Sequence, residues 1–407
     1  MSEKNYKSAQ CIGHVLCTTP LLKESIEGIS DWGVYLGKES DVDDINARLE
    51  IVKTVLSYAL QNGEESSDVL KVFVMPEFFW RGVKGAYYYP DSASDEFYLS
   101  IQAGLNTILE NYKTQYDIGD WLFVFGSILT TNSITNVETE IDETLSKIGD
   151  EYIAIYDLLR TNSNECVGDI KQLLRIADRK LVAENSTDDK LSALLESILT
   201  IADESATKEI YNRSLIYYDG EWINVQKKNK SKEDFILNNP SENNNIVNKY
   251  LQTMVVYPDV EEVSPITTLP FSCFECGNLK IGVEICLDHS RKRLLDYLCK
   301  EKISQLNLQI VPSCGMNLRK DSIAVSYDTG LLFNCDGEYT LSDDEAHNGN
   351  TSHSELKRGT YSASCGPRLS NELSVSKIID LTSEINVNNL FPKDAGQLHI
   401  YEIYSCV

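Results

Sequence analysis

Three ionisable residues directly follow runs of strand-forming residues. Glu77 comes after KVFVMP, Lys227 closes WINVQ, and Cys286 closes GVEI. In open α/β sheets, reactive groups gather outside the strand ends, where loops leave a crevice. A carboxylate, an ammonium and a thiol in one crevice form a consistent chemical set. The glutamate accepts the thiol proton, the thiolate attacks an electrophilic carbon, and the lysine stabilises the charge that develops.

The elements that must position these residues alternate between strand and helix in the first third of the chain. Buried strands are predicted over 11–19, 68–80 and 120–131, because these runs are short, apolar and rich in β-branched and aromatic residues. Helices are predicted over 41–63 and 95–113 from apolar residues at helical spacing, and the first of them starts with acidic cap candidates. This β-α-β-α-β order indicates a layered α/β sheet.

The pattern changes after residue 132. Residues 133–208 are acidic and helical in period, which predicts an α-helical insertion, and 211–229 reads as a hairpin turning at Asp219-Gly220. The rest of the chain is predicted as a strand over 277–289, a helix over 290–302, strands over 306–316, 330–337, 374–381 and 398–407, and a polar loop between 340 and 370.

The segments VMPEFFWRG, NVQKKNKSKEDF and GVEICLDH, in that order, resemble the three signatures of the nitrilase, or carbon–nitrogen hydrolase, superfamily. Members of that family use a Glu–Lys–Cys triad on an αββα sandwich. The features that match are Pro76-Glu77, Lys227 and the run from Gly282 to Asp288, and FVFGSI and the Tyr211-Asn212 pair fall where the family has its central strand and its "YN" step.

The lysine position carries the main departure from the family pattern. The family lysine is often followed two residues later by His, whereas Asn229 stands there in this chain. Lys228 is adjacent to Lys227, and strand alternation puts the two side chains on opposite faces, so only one can reach the site. The family also tends to carry a second glutamate before its "YN" step. Glu209 and Glu204 are the candidates for it, and the insertion obscures the register between them.

The resemblance implies a divergent member of the family with an α/β fold. We expect a four-layer αββα sandwich of the nitrilase type, as a single carbon–nitrogen hydrolase-like domain over 1–407 interrupted by the α-helical insertion at 133–208. The four layers are expected when two subunits pair, which implies a homodimer or a higher homo-oligomer. We expect an amidase-like hydrolase of non-peptide C–N bonds that acts on a small amide or nitrile through a Cys286 thioester and needs no cofactor and no metal.

Other interpretations of the same residues stay open. Cys286 on its own would be a buried, inert strand cysteine. His289 could suggest a Cys–His site, although adjacent histidines rarely have that geometry. Glu284 shares a strand face with Cys286 and is expected to pair with an arginine or a lysine. Cys273 and Cys276 form one CxxC without a second pair, so we interpret them as strand residues rather than as zinc ligands.

Two alternatives concern the whole protein. The fold could serve as a catalytically inactive binding or scaffold protein whose insertion is the interaction surface, or the acyl group could pass to an amine instead of water. The aromatic residues that follow Glu77 suit a pocket wall and core packing equally; they are Phe78, Phe79, Trp80, Tyr87, Tyr88 and Tyr89.

The composition of the 407 residues excludes some functions. Lys and Arg number 37 and Asp and Glu number 62, so the net charge is −25. Such a surface repels phosphate backbones and anionic membranes, which argues against nucleic acid or a membrane as partner. No apolar run approaches the ~18 residues that span a bilayer. The eleven cysteines are odd in number and no apolar leader follows the polar N-terminus, so we expect reduced thiols and a cytoplasmic location.

Overall fold

A computed structural model of the chain describes residues 4–19, 21–23, 32–83, 85–89, 95–131, 208–229, 255–256, 272–338, 353–387 and 389–407. Apart from residue 208, the predicted insertion at 133–208 lies outside the described residues, so its helices stay a prediction. The described helices are α1 (Asp41–Asn62), α2 (Glu96–Lys113), α3 (Leu287–Ser290) and α4 (Arg293–Glu301), with a 3₁₀ turn at Lys320–Ser322.

The described strands follow one another as β1 (Ser8–Val15), β2 (Leu21–Lys23), β3 (Trp32–Val34), β4 (Val69–Val74), β5 (Tyr87–Tyr88), β6 (Trp121–Val124), β7 (Ile128–Thr131), β8 (Lys208–Tyr218), β9 (Glu221–Gln226), β10 (Val255–Val256), β11 (Cys273–Cys276), β12 (Leu279–Val283), β13 (Leu308–Ser313), β14 (Leu331–Asp336), β15 (Glu355–Ser362), β16 (Gly366–Leu369), β17 (Val375–Asp380) and β18 (Gln397–Ser405).

The first sheet has the order β17-β18-β1-β4-β6-β8-β7-β5, with β9 and β10 also paired to β8. Strands β1, β4 and β6 run parallel, and α1 and α2 connect them, so the predicted β-α-β-α-β unit is confirmed. Helix α1 begins where the acidic cap was expected, because Ser40 accepts a hydrogen bond from the Asp43 N–H and three acidic residues follow in the first turn.

The second sheet has the order β11-β12-β13-β14-β15-β16, with β12, β13 and β14 parallel. It packs face to face on the first sheet through alternate residues of each strand, for example Val72 and Val74 of β4 with Ile281 and Ile310 of β12 and β13. Gly13 allows the close approach, because a Cβ there would lie 3.1 Å from the Cζ atom of Phe333. This interface holds the inner core.

Helices cover the outer face of each sheet. Leu56 of α1 and Leu105 of α2 pack against Phe73 and the other outward-facing residues of the first sheet, while Leu294 and its neighbours in α4 pack on the outer face of the second. The predicted αββα sandwich is therefore confirmed, but all four layers are formed within one chain. The expectation that two subunits are needed to make them is wrong, and the homodimer rests on the family resemblance alone.

Three local predictions differ from the structure. The strand predicted over 120–131 is divided into β6 and β7 at Gly126, which has φ +67° and whose backbone lies so close to the Pro76 carbonyl that a Cβ would not fit. The helix predicted over 290–302 is interrupted at Lys292, which has φ +60°. The polar loop predicted between 340 and 370 contains β15 and β16, whose few buried side chains left no apolar alternation to detect.

Candidate active site

Glu77 lies just beyond the carboxyl end of β4. Pro76 carries no N–H and so stops regular pairing of the strand, and the Glu77 N–H instead donates to the Ser313 carbonyl at the end of β13 (3.2 Å). The Glu77 carbonyl accepts a hydrogen bond from the Thr18 hydroxyl (2.7 Å). The side chain of Glu77 is completely buried. Its backbone is thus fixed from two sides, and its carboxylate points into the protein.

Lys227 is the partner of this carboxylate. Its Nζ atom donates to Oε1 of Glu77 at 2.8 Å, and both side chains are 0% exposed. The Asn212 side-chain amide donates to the same oxygen at 3.0 Å, and the Asn212 carbonyl accepts from the Lys227 N–H. Lys228 is only partly buried, in agreement with the alternation that separates the two lysines. Of the two, Lys227 therefore forms the buried ion pair.

Cys286 lies in a turn between β12 and α3 and has an unusual backbone conformation. Its φ is +47° and its ψ is −107°, a region that L-residues with a Cβ rarely occupy. The Cys286 N–H donates to the Pro312 carbonyl at 3.0 Å, and its Sγ atom lies 3.9 Å from the Cys314 carbonyl oxygen. The residue is 7% exposed. Holding a side chain in such a conformation costs about 1–3 kcal/mol, and residues of this kind cluster at functional sites.

Asp288, in α3, links the segment after β9 to the helix that directly follows Cys286. Its carboxylate accepts the N–H groups of Lys228 (3.1 Å) and Asn229 (2.8 Å), as well as the Asn229 side-chain amide (2.8 Å). Arg293 Nη1 donates both to this carboxylate and to the Gln226 carbonyl, each at 2.5 Å. Asn229, at the position where the resemblance would place a histidine, therefore bonds directly to Asp288 in α3, the helix that follows Cys286.

The end of β13 contacts both the segment that carries Glu77 and the segment that carries Cys286. Its consecutive residues Pro312 and Ser313 accept the N–H groups of Cys286 and Glu77, respectively. Glu77 and Lys227 are in direct contact, and Cys286 is held on the adjoining segment. The ends of β4, β9 and β12 thus meet beside the end of β13, as expected for chemistry at the carboxyl edge of a sheet.

Asp336, at the end of β14, orders the loop beside Cys286. Its buried carboxylate accepts five hydrogen bonds, from the Ser313 hydroxyl and from the N–H groups of Gly315, Met316, Glu338 and His353. Asp336, Glu338 and His353 also place possible metal-binding atoms within 4.8 Å of one another. The five donors already explain the buried carboxylate. Asp336 was not among the residues predicted from the sequence, although it ends an apolar strand and Glu77 and Cys286 each follow one.

Cys314 lines the site as a neutral thiol. Burial raises the pKa of Cys314 well above its ordinary value, and the nearby carboxylates of Asp336 and Glu77 raise it further. The side chain packs against a small apolar cluster that contains Phe78, and the ring centre of Phe78 lies 5.7 Å from the Lys227 ammonium. Of the six aromatic residues after Glu77, Phe78 therefore contacts the site, whereas Phe79, Trp80 and Tyr87 pack in the helix-side core.

His289 and Glu284 pair with each other rather than with the site. His289 Nδ1 lies 2.7 Å from Oε1 of Glu284, and its Nε2 accepts the Arg319 N–H at 2.9 Å. Both ring nitrogens are thus engaged, which is consistent with rejecting a Cys–His site. The expectation that Glu284 pairs with an arginine or lysine is wrong. The turn at Cys286 ends the strand alternation, so Glu284 and Cys286 do not share a face.

The remaining candidates have no role that the described residues reveal. Cys273 packs under α4 and Cys276 packs between the sheets, so these two thiols point to opposite faces of β11. Glu209 lies in β8, but its side chain lies outside the described part of the structure, as does all of Glu204. The second glutamate therefore stays a prediction. All ten described cysteines are free thiols, and no helix among the described residues is long and apolar enough to cross a membrane.

Comparison with known proteins gives matches among solved structures only. No protein-family model matches the sequence. No curated protein sequence matches it either. Saccharomyces cerevisiae Nit3, described as a member of branch 10 of the nitrilase superfamily, matches at 14% identity with a TM-score of 0.41, over 99% of this chain and 92% of Nit3.

Two other matches are more distant. An amidase from Nesterenkonia sp. matches at 11% identity with a TM-score of 0.35, over 82% of this chain and 76% of the amidase. The glutamine-dependent NAD⁺ synthetase from Acinetobacter baumannii matches at 9% identity and a TM-score of 0.35, and this chain covers 90% of its own length but only 48% of the synthetase. The solved structures similar to this chain therefore include members of the nitrilase superfamily.

Proposed function

We propose that the protein is a carbon–nitrogen hydrolase of the amidase type, in which Cys286 is the nucleophile, Glu77 the general base and Lys227 the oxyanion-stabilising cation. The observation that carries the proposal is the fully buried Glu77–Lys227 ion pair beside a cysteine held at φ +47°. Burying two charges is costly, and replacing such a pair by apolar residues is often neutral or stabilising. Its presence next to a strained thiol therefore favours a chemical role over a purely structural one.

In the acylation step, Glu77 accepts the thiol proton as Cys286 Sγ bonds to the carbonyl carbon of a primary amide. The carbonyl oxygen becomes an oxyanion, which Lys227 and the Leu287 N–H would stabilise. Leu287 is the first residue of α3, and its N–H donates to none of the described residues. Glu77 then gives the proton to the leaving nitrogen, the C–N bond breaks, and ammonia leaves behind a Cys286 thioester.

In the deacylation step, the same carboxylate accepts a proton from water while the water oxygen attacks the thioester carbon. The C–S bond breaks, the carboxylic acid is released, and the proton returns to Cys286. The hydrogen bond from Asn212 to Glu77 Oε1 orients the carboxylate through both steps. Neither step needs a metal or an organic cofactor. If an amine attacked the thioester in place of water, the same site would transfer the acyl group to that amine. Hydrolysis and acyl transfer therefore differ only in the acceptor.

The experiment is a turnover assay on a panel of short aliphatic amides and nitriles, combined with mass spectrometry of the protein. We expect release of ammonia, a covalent acyl adduct on Cys286, and loss of turnover in Cys286→Ala and Glu77→Gln. Cys314→Ala is the matched control, because that thiol lines the same site and is held neutral. It should keep most of the activity.

Two results would contradict the proposal. One is an acyl adduct on a cysteine other than Cys286, and the other is undiminished turnover in Cys286→Ala. A protein that turns over no member of the panel, and whose cellular function tolerates Cys286→Ser and Glu77→Gln, would instead be the catalytically inactive scaffold. Size-exclusion chromatography with light scattering tests the proposed homodimer independently of the chemistry.

A further inference from the structure

Two carboxylates and an imidazole meet where β14 and β15 separate. The two strands pair antiparallel, with Asn334 opposite Glu355. Continuing this register places His353 opposite Asp336, the last residue of β14. The N–H groups of Glu338 and His353 both donate to Oδ2 of Asp336. The pairing of one hairpin therefore brings Asp336, Glu338 and His353 together at the carboxyl end of β14.

The His353 imidazole faces both carboxylates but forms a hydrogen bond with neither. Its Nδ1 atom lies 3.6 Å from Oδ2 of Asp336 and 3.6 Å from Oε2 of Glu338. A hydrogen bond to either oxygen would need a separation of about 3 Å. Nδ1 is shielded from solvent, and within the described residues it has no hydrogen-bond partner. Leaving a buried nitrogen unpaired is unfavourable, so these distances indicate room for a ligand between the three side chains.

The separations between these atoms suit a metal ion. Ligand atoms at about 2.1 Å from a tetrahedral ion lie about 3.4 Å from one another. The two 3.6 Å distances from His353 Nδ1 are close to this value, and one ligand atom from each of the three residues lies within 4.8 Å of the other two. The side chains of Glu338 and His353 are partly exposed, so both can adjust by the small amount that coordination requires.

The carboxylates at this position lack a strong counter-charge. Asp336 is completely buried, and its five donors are a hydroxyl and four backbone N–H groups, none of which is charged. No lysine or arginine of the described residues forms an ion pair with Asp336. Its Oδ2 atom accepts N–H groups at 3.1 and 3.4 Å, the long end of the usual range, so this oxygen can still bind a cation. A divalent ion would compensate the charges of Asp336 and Glu338 together.

The donor set selects the kind of ion. Ca²⁺ and Mg²⁺ take oxygen ligands, for which an imidazole nitrogen is a poor substitute. Zn²⁺ binds both imidazole nitrogen and carboxylate oxygen, and three protein ligands with one water are a common arrangement around it. One imidazole with two carboxylates therefore favours Zn²⁺ over these hard cations.

The position of Asp336 connects this cluster to the candidate active site. Oδ1 of Asp336 accepts the N–H groups of Gly315 and Met316. The carbonyl oxygen of the preceding residue, Cys314, lies 3.9 Å from Cys286 Sγ. An ion bound to Asp336 would hold this carboxylate in place and, through it, the loop beside Cys286.

We propose that Asp336, Glu338 and His353 bind one Zn²⁺ ion per chain, which stabilises the loop beside Cys286. The observation that carries the proposal is the enclosed Nδ1 atom of His353, which lies at equal distances from two carboxylate oxygens. The ion takes no part in the reaction proposed above, and the metal site does not rest on that reaction.

The experiment is an isothermal titration of the full chain with Zn²⁺ after EDTA has removed any bound metal. We expect one ion per chain. His353→Ala and Glu338→Gln should each weaken binding at least tenfold, since even residues that only orient a metal ligand contribute roughly 10- to 100-fold. His399→Ala is the matched control, because it removes a partly buried imidazole that pairs with Gln397 rather than with a carboxylate, and it should leave the affinity unchanged.

Two further readouts identify the ligands and verify the fold. Co²⁺ in place of Zn²⁺ should give visible absorption without a thiolate-to-cobalt charge-transfer band, because the proposed ligands include no cysteine. Free Zn²⁺ at a hundred times Kd should raise Tm by about 3 °C. Without metal, His353→Ala and Glu338→Gln should unfold within about 1 °C of the unaltered protein, because both side chains are partly exposed, so that misfolding does not explain a loss of affinity.

Three results would overturn the proposal. They are the absence of Zn²⁺ binding in the unaltered protein, equal Zn²⁺ affinity in His353→Ala and the unaltered protein, and a thiolate charge-transfer band, which would place the ion on cysteines. If Zn²⁺ binds with the expected losses in the variants but no amide is hydrolysed, the metal site stands and the proposed hydrolase fails.

Discussion

The buried Glu77–Lys227 pair yields a prediction about stability that is separable from activity. Lys227→Met leaves the Glu77 carboxylate in a site where both side chains are 0% exposed, and Glu77→Gln leaves the Lys227 ammonium there. Removing one partner of a buried pair typically costs about 3–5 kcal/mol, because the other charge loses its compensation. The double variant Glu77→Gln/Lys227→Met has no uncompensated charge, so we expect it to be more stable than either single variant.

The size of the effect makes it measurable. The free energy of unfolding of a typical protein is about 5–15 kcal/mol, so each single variant should lose a large fraction of it. Urea unfolding, followed by circular dichroism and tryptophan fluorescence, gives the three differences and hence the coupling energy. Lys228→Met is the matched control, since that side chain is only partly buried, and it should lie within about 0.5 kcal/mol of the unaltered protein.

Two outcomes would refute this reasoning. If Lys227→Met lies within about 1 kcal/mol of the unaltered protein, the pair is not desolvated as the structure indicates. If the two single effects simply add in the double variant, the charges are not coupled across the 2.8 Å contact. Turnover is a second measurement on the same variants, because the double variant should recover stability but should have no turnover. Recovery of turnover in the double variant would remove both residues from the proposed mechanism.

Two further predictions concern individual residues. Because Cys286 has φ +47°, Cys286→Gly should be more stable than Cys286→Ala by about 1–2 kcal/mol, as judged by urea midpoints, whereas an ordinary strand site would favour alanine. Burial lowers the pKa of His14 to about 4 despite its hydrogen bond to the Ala395 carbonyl. Between that pH and pH ~6.5, the imidazole is therefore protonated in the unfolded chain but neutral in the folded protein. About 2 kcal/mol of stability should therefore be lost between pH 7 and pH 5, and a pH profile of His14→Gln that falls as steeply as that of the unaltered protein would contradict this.

The sequence by itself determined the elements that carry the candidate residues. Helical spacing and an acidic cap place α1 at Asp41–Asn62, and short apolar runs place β4 and β12, at whose ends Glu77 and Cys286 follow. The order of three short motifs, Pro76-Glu77 first among them, indicated the family resemblance. These signals are local, since they depend on residues that are neighbours in the chain.

Only the tertiary structure decided which of these residues meet. The contact between Glu77 and Lys227 spans 150 positions of sequence and depends on the ends of β4 and β9 reaching the same edge of the fold. Pairing of β9 with β8, rather than the LysLys dipeptide itself, selects Lys227 over Lys228. Asp336 was not singled out from the sequence, because a single aspartate at the end of a strand carries no local signal of its burial or of the donors that surround it. Strand periodicity predicts the face of the sheet on which a side chain lies. Ion pairing, backbone strain at Cys286 and desolvation depend instead on which residues from distant parts of the chain pack against that face.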